Sequence, residues 1–268
     1  MNRCEGDSGS GAYGRYVALG DSQTEGVGDG DDTLGLRGWA DRLAELLARR
    51  NPDLRYANLA VRGRLAGQVR AGQLGPALAL RPDLVTVVAG VNDLMRPRFD
   101  ADEVAGHLEA MFAELTAHGA RVATLTFPDV GRLMPLARPL GPRVQALNAR
   151  IRQAADRHGV VVAETAGPPV VTDPRLWSPD RLHASPLGHA RIAAAVAHAL
   201  GLPGSDDSWT HPLPPPPAPL PSPLAALGAE LRWTGTFLGP WLGRRLRGRS
   251  SGDDRHAKRP EPLPVTGG

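Results

Sequence analysis

Of the 268 residues only Cys4 is a cysteine and only Lys258 a lysine. A lone cysteine excludes an intramolecular disulfide and a cysteine-built zinc site, and gives no sign of an oxidising compartment. With lysine almost absent, arginine carries the positive charge, and the formal net charge is a modest +3. The bias toward arginine, alanine and glycine reads as that of a GC-rich genome. No dense basic stripe crosses the first two hundred residues, which argues against a nucleic-acid partner. The opening MNRCEGDSGSGAYGRY lacks the apolar core of a secretory leader, and no stretch approaches the roughly 18 apolar residues of a membrane span. The expectation is a soluble cytoplasmic protein.

Against these absences stands a regular alternation. RYVALG (15–20), LRYANLAVRG (54–63), DLVTVVAG (83–90), ARVATLTF (120–127) and VVVAET (160–165) carry strand-type runs. Stretches of helical period separate them, at 39–50, 64–80, 101–119 and 142–159, and a last helix over 185–201 has Ser185 as cap, Pro186 at its first position and Gly201 as stop. Such alternation predicts an α/β protein, a flavodoxin-like three-layer α/β/α sandwich with a central five-stranded parallel sheet. The expected organisation is a flexible N-terminus (1–14), a catalytic domain (15–201), a proline-rich linker (202–223), a basic amphipathic segment (224–250) and a disordered tail (251–268).

In parallel sheets of this kind ligands bind beyond the carboxyl ends of the strands. There the sequence sets GDSQTEG (20–26), NLAVRG (58–63), GVND (90–93) and, before the last helix, DRLH (180–183). Each block alone is weak. Together, and in this order, they resemble the SGNH or GDSL-type hydrolase family, whose pattern is Ser, Gly, Asn and His in four separated blocks; the matches are Ser22, Gly63, Asn92 and His183, over roughly 15–201.

The resemblance implies a serine hydrolase acting on carboxylic esters. Ser22 would be the nucleophile, His183 the general base and then acid, and Asp180 the carboxylate that orients His183. The oxyanion donors implied are the backbone N–H groups of Ser22 and Gly63 and the side-chain amide of Asn92. Neither a cofactor nor a metal is required. A phosphate loop of flavodoxin type would explain Ser22 but gives no reason for Asp180 and His183. Acyl transfer to an alcohol would use the same residues, and a non-catalytic binding domain would need none of the set.

Other polar residues read as structural. Asp21 and Asp93 are expected to accept loop N–H groups, His189 to pack within the last helix, and His107, His118 and His158 to face solvent. The substrate class stays open among small acyl and lipid-like esters, with Leu133, Met134, Leu136 and Trp177 either framing a pocket or packing on the core. HPLPPPPAPLPSP (211–223) reads as semi-rigid polyproline. The following mixture of Leu, Phe, Trp and Arg suits an anionic membrane surface or a protein partner, or a helix packed back on the domain, and Pro240 interrupts it.

Overall fold

A computed structural model of the chain describes residues 13–129, 131, 134–215, 235–236 and 250–265. The apolar run at the start forms β1 (Arg15–Gly20), buried from Tyr16 onward, and the chain turns at once into the one-turn helix α1 (Ser22–Glu25), capped by Asp21. A small hairpin, β2 (Gly30–Asp31) with β3 (Gly35–Leu36), leads to α2 (Trp39–Ala48), whose Trp39, Leu43 and Leu47 recur at helical spacing and enter the core. Next come β4 (Arg55–Asn58), α3 (Ala66–Ala79), β5 (Leu84–Val88), a second one-turn helix α4 (Val91–Leu94) and α5 (Ala101–Ala117). The alternation ends with β6 (Arg121–Leu125), α6 (Gly141–Arg157), β7 (Val161–Ala163) and α7 (Pro186–Ala199), the last capped by the Ser185 side chain.

The strand order is β7-β6-β5-β1-β4, with one further strand beyond β4. From β1 the chain steps to β4, then crosses back over β1 to β5 and continues outward to β6 and β7. Right-handed crossovers run in opposite directions put their helices on opposite faces, so α2 lies on one side and α3, α5 and α6 on the other. Helix α7 packs beside α2. These three layers are the α/β/α sandwich that the sequence suggested, and the reversal of direction falls at β1. The crevice beyond the carboxyl end of β1 is therefore where such a sheet binds its ligand.

The sheet has six strands where the sequence suggested five. The sixth, β8 (Arg259–Pro264), runs antiparallel along β4, with Arg55 opposite Pro264, Tyr56 opposite Leu263 and Asn58 opposite Arg259. It comes from the tail read as disordered. Successive N–H groups of a strand point to opposite edges, so prolines at the alternate positions 260, 262 and 264 remove donors from one edge only. That pattern excludes a central strand and permits an outermost one. Arg259 adds a bond from Nε to the Tyr56 carbonyl (2.8 Å), its guanidinium 5.4 Å from the centre of the Tyr56 ring.

The linker also begins later than composition suggests. Leu202 and Trp209 are buried in the main core, Trp209 within a short 3-10 turn, Ser208–Thr210. Residues 1–12, 216–234, 237–249 and 266–268, which include nearly all of the basic segment, lie outside the described residues. Among the described residues no helix is long and apolar enough to cross a membrane.

Candidate active site

Strand β1 carries Ser22 to the carboxyl edge of the sheet, and the loop before α7 brings His183 over it. Ser22 Oγ lies 2.8 Å from His183 Nε2, and His183 Nδ1 lies 2.6 Å from Asp180 Oδ2. A carboxylate beside Nδ1 selects the neutral tautomer with its proton there, leaving Nε2 to accept the serine hydroxyl. A serine so placed can pass its proton to the imidazole as it attacks an electrophilic carbon.

The three-residue gap between Asp180 and His183 is a tight turn built around the carboxylate. Asp180 Oδ1 accepts from Ser178 Oγ (2.6 Å), Leu182 N (2.9 Å) and His183 N (3.0 Å). Arg181 adopts φ of 58° to close it, a left-handed conformation uncommon for a residue with a side chain. Burial raises the affinity of Asp180 for a proton, but the bond from His183, its nearby charge and the Ser178 hydroxyl outweigh it and hold the carboxyl well below the ordinary carboxylate range. Gln23 joins this loop to the serine turn: its Nε2 donates to the Leu182 carbonyl (3.0 Å) and its Oε1 accepts from Ala184 N (3.3 Å).

Asn92, at the start of α4, donates from Nδ2 to Asp21 Oδ2 (3.0 Å) and to the Arg64 carbonyl (3.1 Å). It is thus tied to the residue before Ser22 and to the residue after Gly63. Gly63 sits in the turn after β4 with φ of +77°, a region open to glycine at little cost. Asp21 is buried, and that burial, only partly offset by the Gln23 N–H, the nearby His183 and the Asn92 amide, pushes its carboxyl up to about 7. Asp93 accepts from Ala66 N (3.0 Å) and so ties α4 to the start of α3.

His189 stands apart from the proton path. It is fully buried, its Nδ1 accepts from Trp39 N and its Nε2 donates to the Val27 carbonyl, each at 3.1 Å. Burial draws its pKa down to about 4. His118 is exposed as expected, whereas His107 and His158 are half-buried, His158 against Glu109 at 3.2 Å. Neither the mid-helix position of His107 nor the helix-terminal position of His158 disclosed this burial.

Two supports escaped sequence reading. Gln73 of α3 reaches the backbone of Gly20, and Glu25, buried in α1, binds Arg62 through its backbone N–H (2.6 Å) and guanidinium (2.7 Å to Nη2). Neither carries a local signal, since α1 reads SQTE, polar throughout, and α3 also holds Gln68 and Arg70.

An apolar cavity of about 160 Å³ opens beside the site, and its lining includes Gln23, Val91 and Leu182, the chain neighbours of Ser22, Asn92 and His183. Met134 and Trp177 line it, the latter fixed by its Nε1 bond to the Val171 carbonyl (2.8 Å). Leu133 and the Leu136 side chain lie outside the described residues.

Residues 18–191 match the model of the GDSL-like lipase/acylhydrolase family. With more than half of its length so matched, the chain belongs to that family and is an ester hydrolase of the SGNH type. Among solved structures it is similar to LAE5, an alpha/beta hydrolase enzyme from the metagenome of Lake Arreo, Spain (TM-score 0.59, 23% identity, 70% of this chain and 95% of that one). It is also similar to a variant of Axe2, an acetyl xylan esterase from Geobacillus stearothermophilus (0.59, 21%, 72% and 96%). A third is the psychrotrophic esterase EstA from Pseudoalteromonas sp., inhibited by monoethylphosphonate (0.56, 18%, 70% and 97%). At these identities the likeness is one of fold. No curated protein sequence matches the chain.

Proposed function

We propose that the chain cleaves carboxylic esters through an acyl-enzyme formed on Ser22. The observation that carries this reading is the continuous line Ser22 Oγ, His183 Nε2, His183 Nδ1, Asp180 Oδ2, with links of 2.8 and 2.6 Å. Ser22 Oγ bonds to the acyl carbon while its proton passes to His183 Nε2. As the tetrahedral intermediate collapses, the carbon–alkoxy bond breaks and the same proton goes to the leaving alcohol. Water then attacks the acyl carbon, gives its proton to His183, and the acid departs as the proton returns to Ser22 Oγ. Asp180 stays ionised and holds the ring.

The N–H groups of Ser22 and Gly63 and the amide of Asn92 serve the oxyanion in this mechanism. Both Asn92 Nδ2 hydrogens are engaged in the resting site, so donation to an oxyanion means exchanging the 3.1 Å bond to the Arg64 carbonyl for one to substrate. The bond to Asp21 persists and keeps the amide aimed.

The cavity supports a substrate with an apolar acyl or alkyl part. A dry cavity of about 150 Å³ holds a benzene molecule, so this one has room for about six carbons. The test is hydrolysis of p-nitrophenyl acetate, butyrate and octanoate by wild type, Ser22→Ala and Ala137→Phe, with mass spectrometry for a phosphonate adduct. The expected result is turnover lost in Ser22→Ala, an adduct on Ser22, and octanoate impaired at least about tenfold more than acetate by the bulk added at Ala137, on the cavity wall. An adduct elsewhere, or turnover that survives Ser22→Ala, would sink the mechanism.

A further inference from the structure

The C-terminal residues 250–265 do more than complete the sheet, because on their way to β8 they cross the turn that holds Gly63. Ser250 Oγ donates to the Gly63 carbonyl (3.3 Å), and Gly252 is packed so closely on the Arg62 carbonyl oxygen that a methyl group there would overlap it. A methyl group at Gly63 would in turn overlap Ser250 Oγ. The contact is therefore one of matched surfaces, with glycine on both sides.

A chain of ion pairs fixes the same turn from its other end. Arg255 reaches Asp32 with both terminal nitrogens (3.0 and 2.7 Å), and Asp32 also accepts from Arg62 Nη2 (2.8 Å). Arg62 continues to Glu25, and Glu25 lies in the helical turn that Ser22 begins. The inner pair is well shielded, with side-chain exposures of 14% for Arg62 and 6% for Glu25, whereas Asp32 is half exposed. Past this point Lys258 binds Asp41 (2.6 Å) and the Leu36 carbonyl (3.0 Å) before β8 seats on β4. Ser250, Gly252, Arg255 and Lys258, which make these contacts from the C-terminal side, lie beyond the family match, which ends at 191.

We propose that residues 250–265 form a strap belonging to the catalytic unit, in which Gly252 and Arg255 are positioning residues that hold the Arg62–Gly63 turn, and with it the Gly63 N–H, where an oxyanion develops. This rests on the reading of Gly63 as an oxyanion donor. Arg255 acts through Asp32 and Arg62 and touches no reacting atom. The strap leaves the Ser22–His183–Asp180 line alone, so its loss should slow the chemical step without weakening ground-state binding.

The test uses the full chain. Arg255→Ala and Arg255→Lys are compared with wild type for kcat and KM on p-nitrophenyl butyrate, with Gly252→Val as an independent variant that forces the strap off the turn. Expected for Arg255→Ala is a kcat about 10- to 100-fold lower at unchanged KM, since a displacement of about 1 Å in a catalytic group can cost about a hundredfold. Partial recovery is expected in Arg255→Lys, with a smaller salt effect on kcat in Arg255→Ala than in wild type. Hydrogen exchange at residues 61–65 gives a second readout that needs no turnover, and should quicken in Arg255→Ala. Wild-type kcat together with wild-type exchange in both Arg255→Ala and Gly252→Val overturns the strap. Loss of KM alone, or an equal loss in Arg255→Lys and Arg255→Ala at wild-type exchange, also overturns it. Absence of Ser22-dependent turnover in wild type would instead remove the esterase reading and leave exchange to decide whether the strap holds the turn.

Discussion

The side-chain amide of Gln73 satisfies both backbone groups of Gly20: its Oε1 accepts from Gly20 N and its Nε2 donates to Gly20 O, each at 2.8 Å. This pairing lies just before Asp21 and Ser22, where β1 is still paired with β5 at Val88 but has passed the end of its ladder with β4, and it is buried. It sets the height at which the serine leaves the sheet.

Replacing Gln73 by leucine keeps the volume and leaves the buried Gly20 N–H unmet, while the Gly20 carbonyl keeps its bond from Val61 N (3.3 Å). An unmet buried donor costs about 1–3 kcal/mol, so a loss of about that size in urea unfolding is expected. A fall in kcat should accompany it, because the Ser22 turn loses its anchor. Gln73→Glu, which retains an acceptor for Gly20 N but loses the amide donor to Gly20 O, should rank between leucine and wild type below neutral pH.

Asp180→Asn should leave the fold nearly unchanged and lower kcat by about 10³–10⁴-fold, with little change in KM. An asparagine can present its amide nitrogen to the ring, which favours the wrong tautomer and gives no charge to stabilise the imidazolium. The ordinary readout is steady-state kinetics on the butyrate ester, with the Ser22→Ala protein as the floor. A fall of less than tenfold would mean that Asp180 serves the Ser178–His183 turn rather than the proton transfer.

Acid should weaken the fold through His189. Its folded pKa of about 4 lies below the ordinary 6.5, so between these values the unfolded chain binds the proton and the folded chain does not. Stability is therefore lost as pH falls from about 6.5 to about 4, by about 3 kcal/mol from this residue. Asp21 works in the opposite sense: with its carboxyl raised to about 7, the folded state holds a proton that the unfolded state has released, and stability from that group falls as pH rises from about 4 to 7. The His189 share is read as the difference between wild type and His189→Gln in unfolding midpoints at pH 7 and pH 4.5. The variant should lose less on acidification, and equal losses in the two proteins would contradict the assignment.

Much of this arrangement was legible before any coordinates. Five strand-type runs, the glycine stops and the Ser185–Pro186 cap specify the alternation, and the residues at the strand ends stand out because they are polar where an apolar run stops. Ser22, Asn92, Asp180 and His183 are brought into one hydrogen-bonded neighbourhood with Asp21. The supports were not legible, since Gln73 and Gly20 are separated by 53 residues, and Arg255 and Asp32 by 223. Such pairs follow from topology and leave no periodic mark. The tail misled for a different reason: alternate prolines argue against a strand by propensity, yet an outermost strand needs donors on one edge alone.

That outermost place has a practical outcome. With β8 present, the open side of β4 is covered by a strand whose own free edge lacks three amide donors, which makes it a poor template for another chain. A recombinant protein ended near 201, where composition suggests a boundary, would leave the outer edge of Arg55–Asn58 uncovered and invite aggregation that says nothing about the enzyme itself. Expression boundaries for this hydrolase belong beyond residue 265.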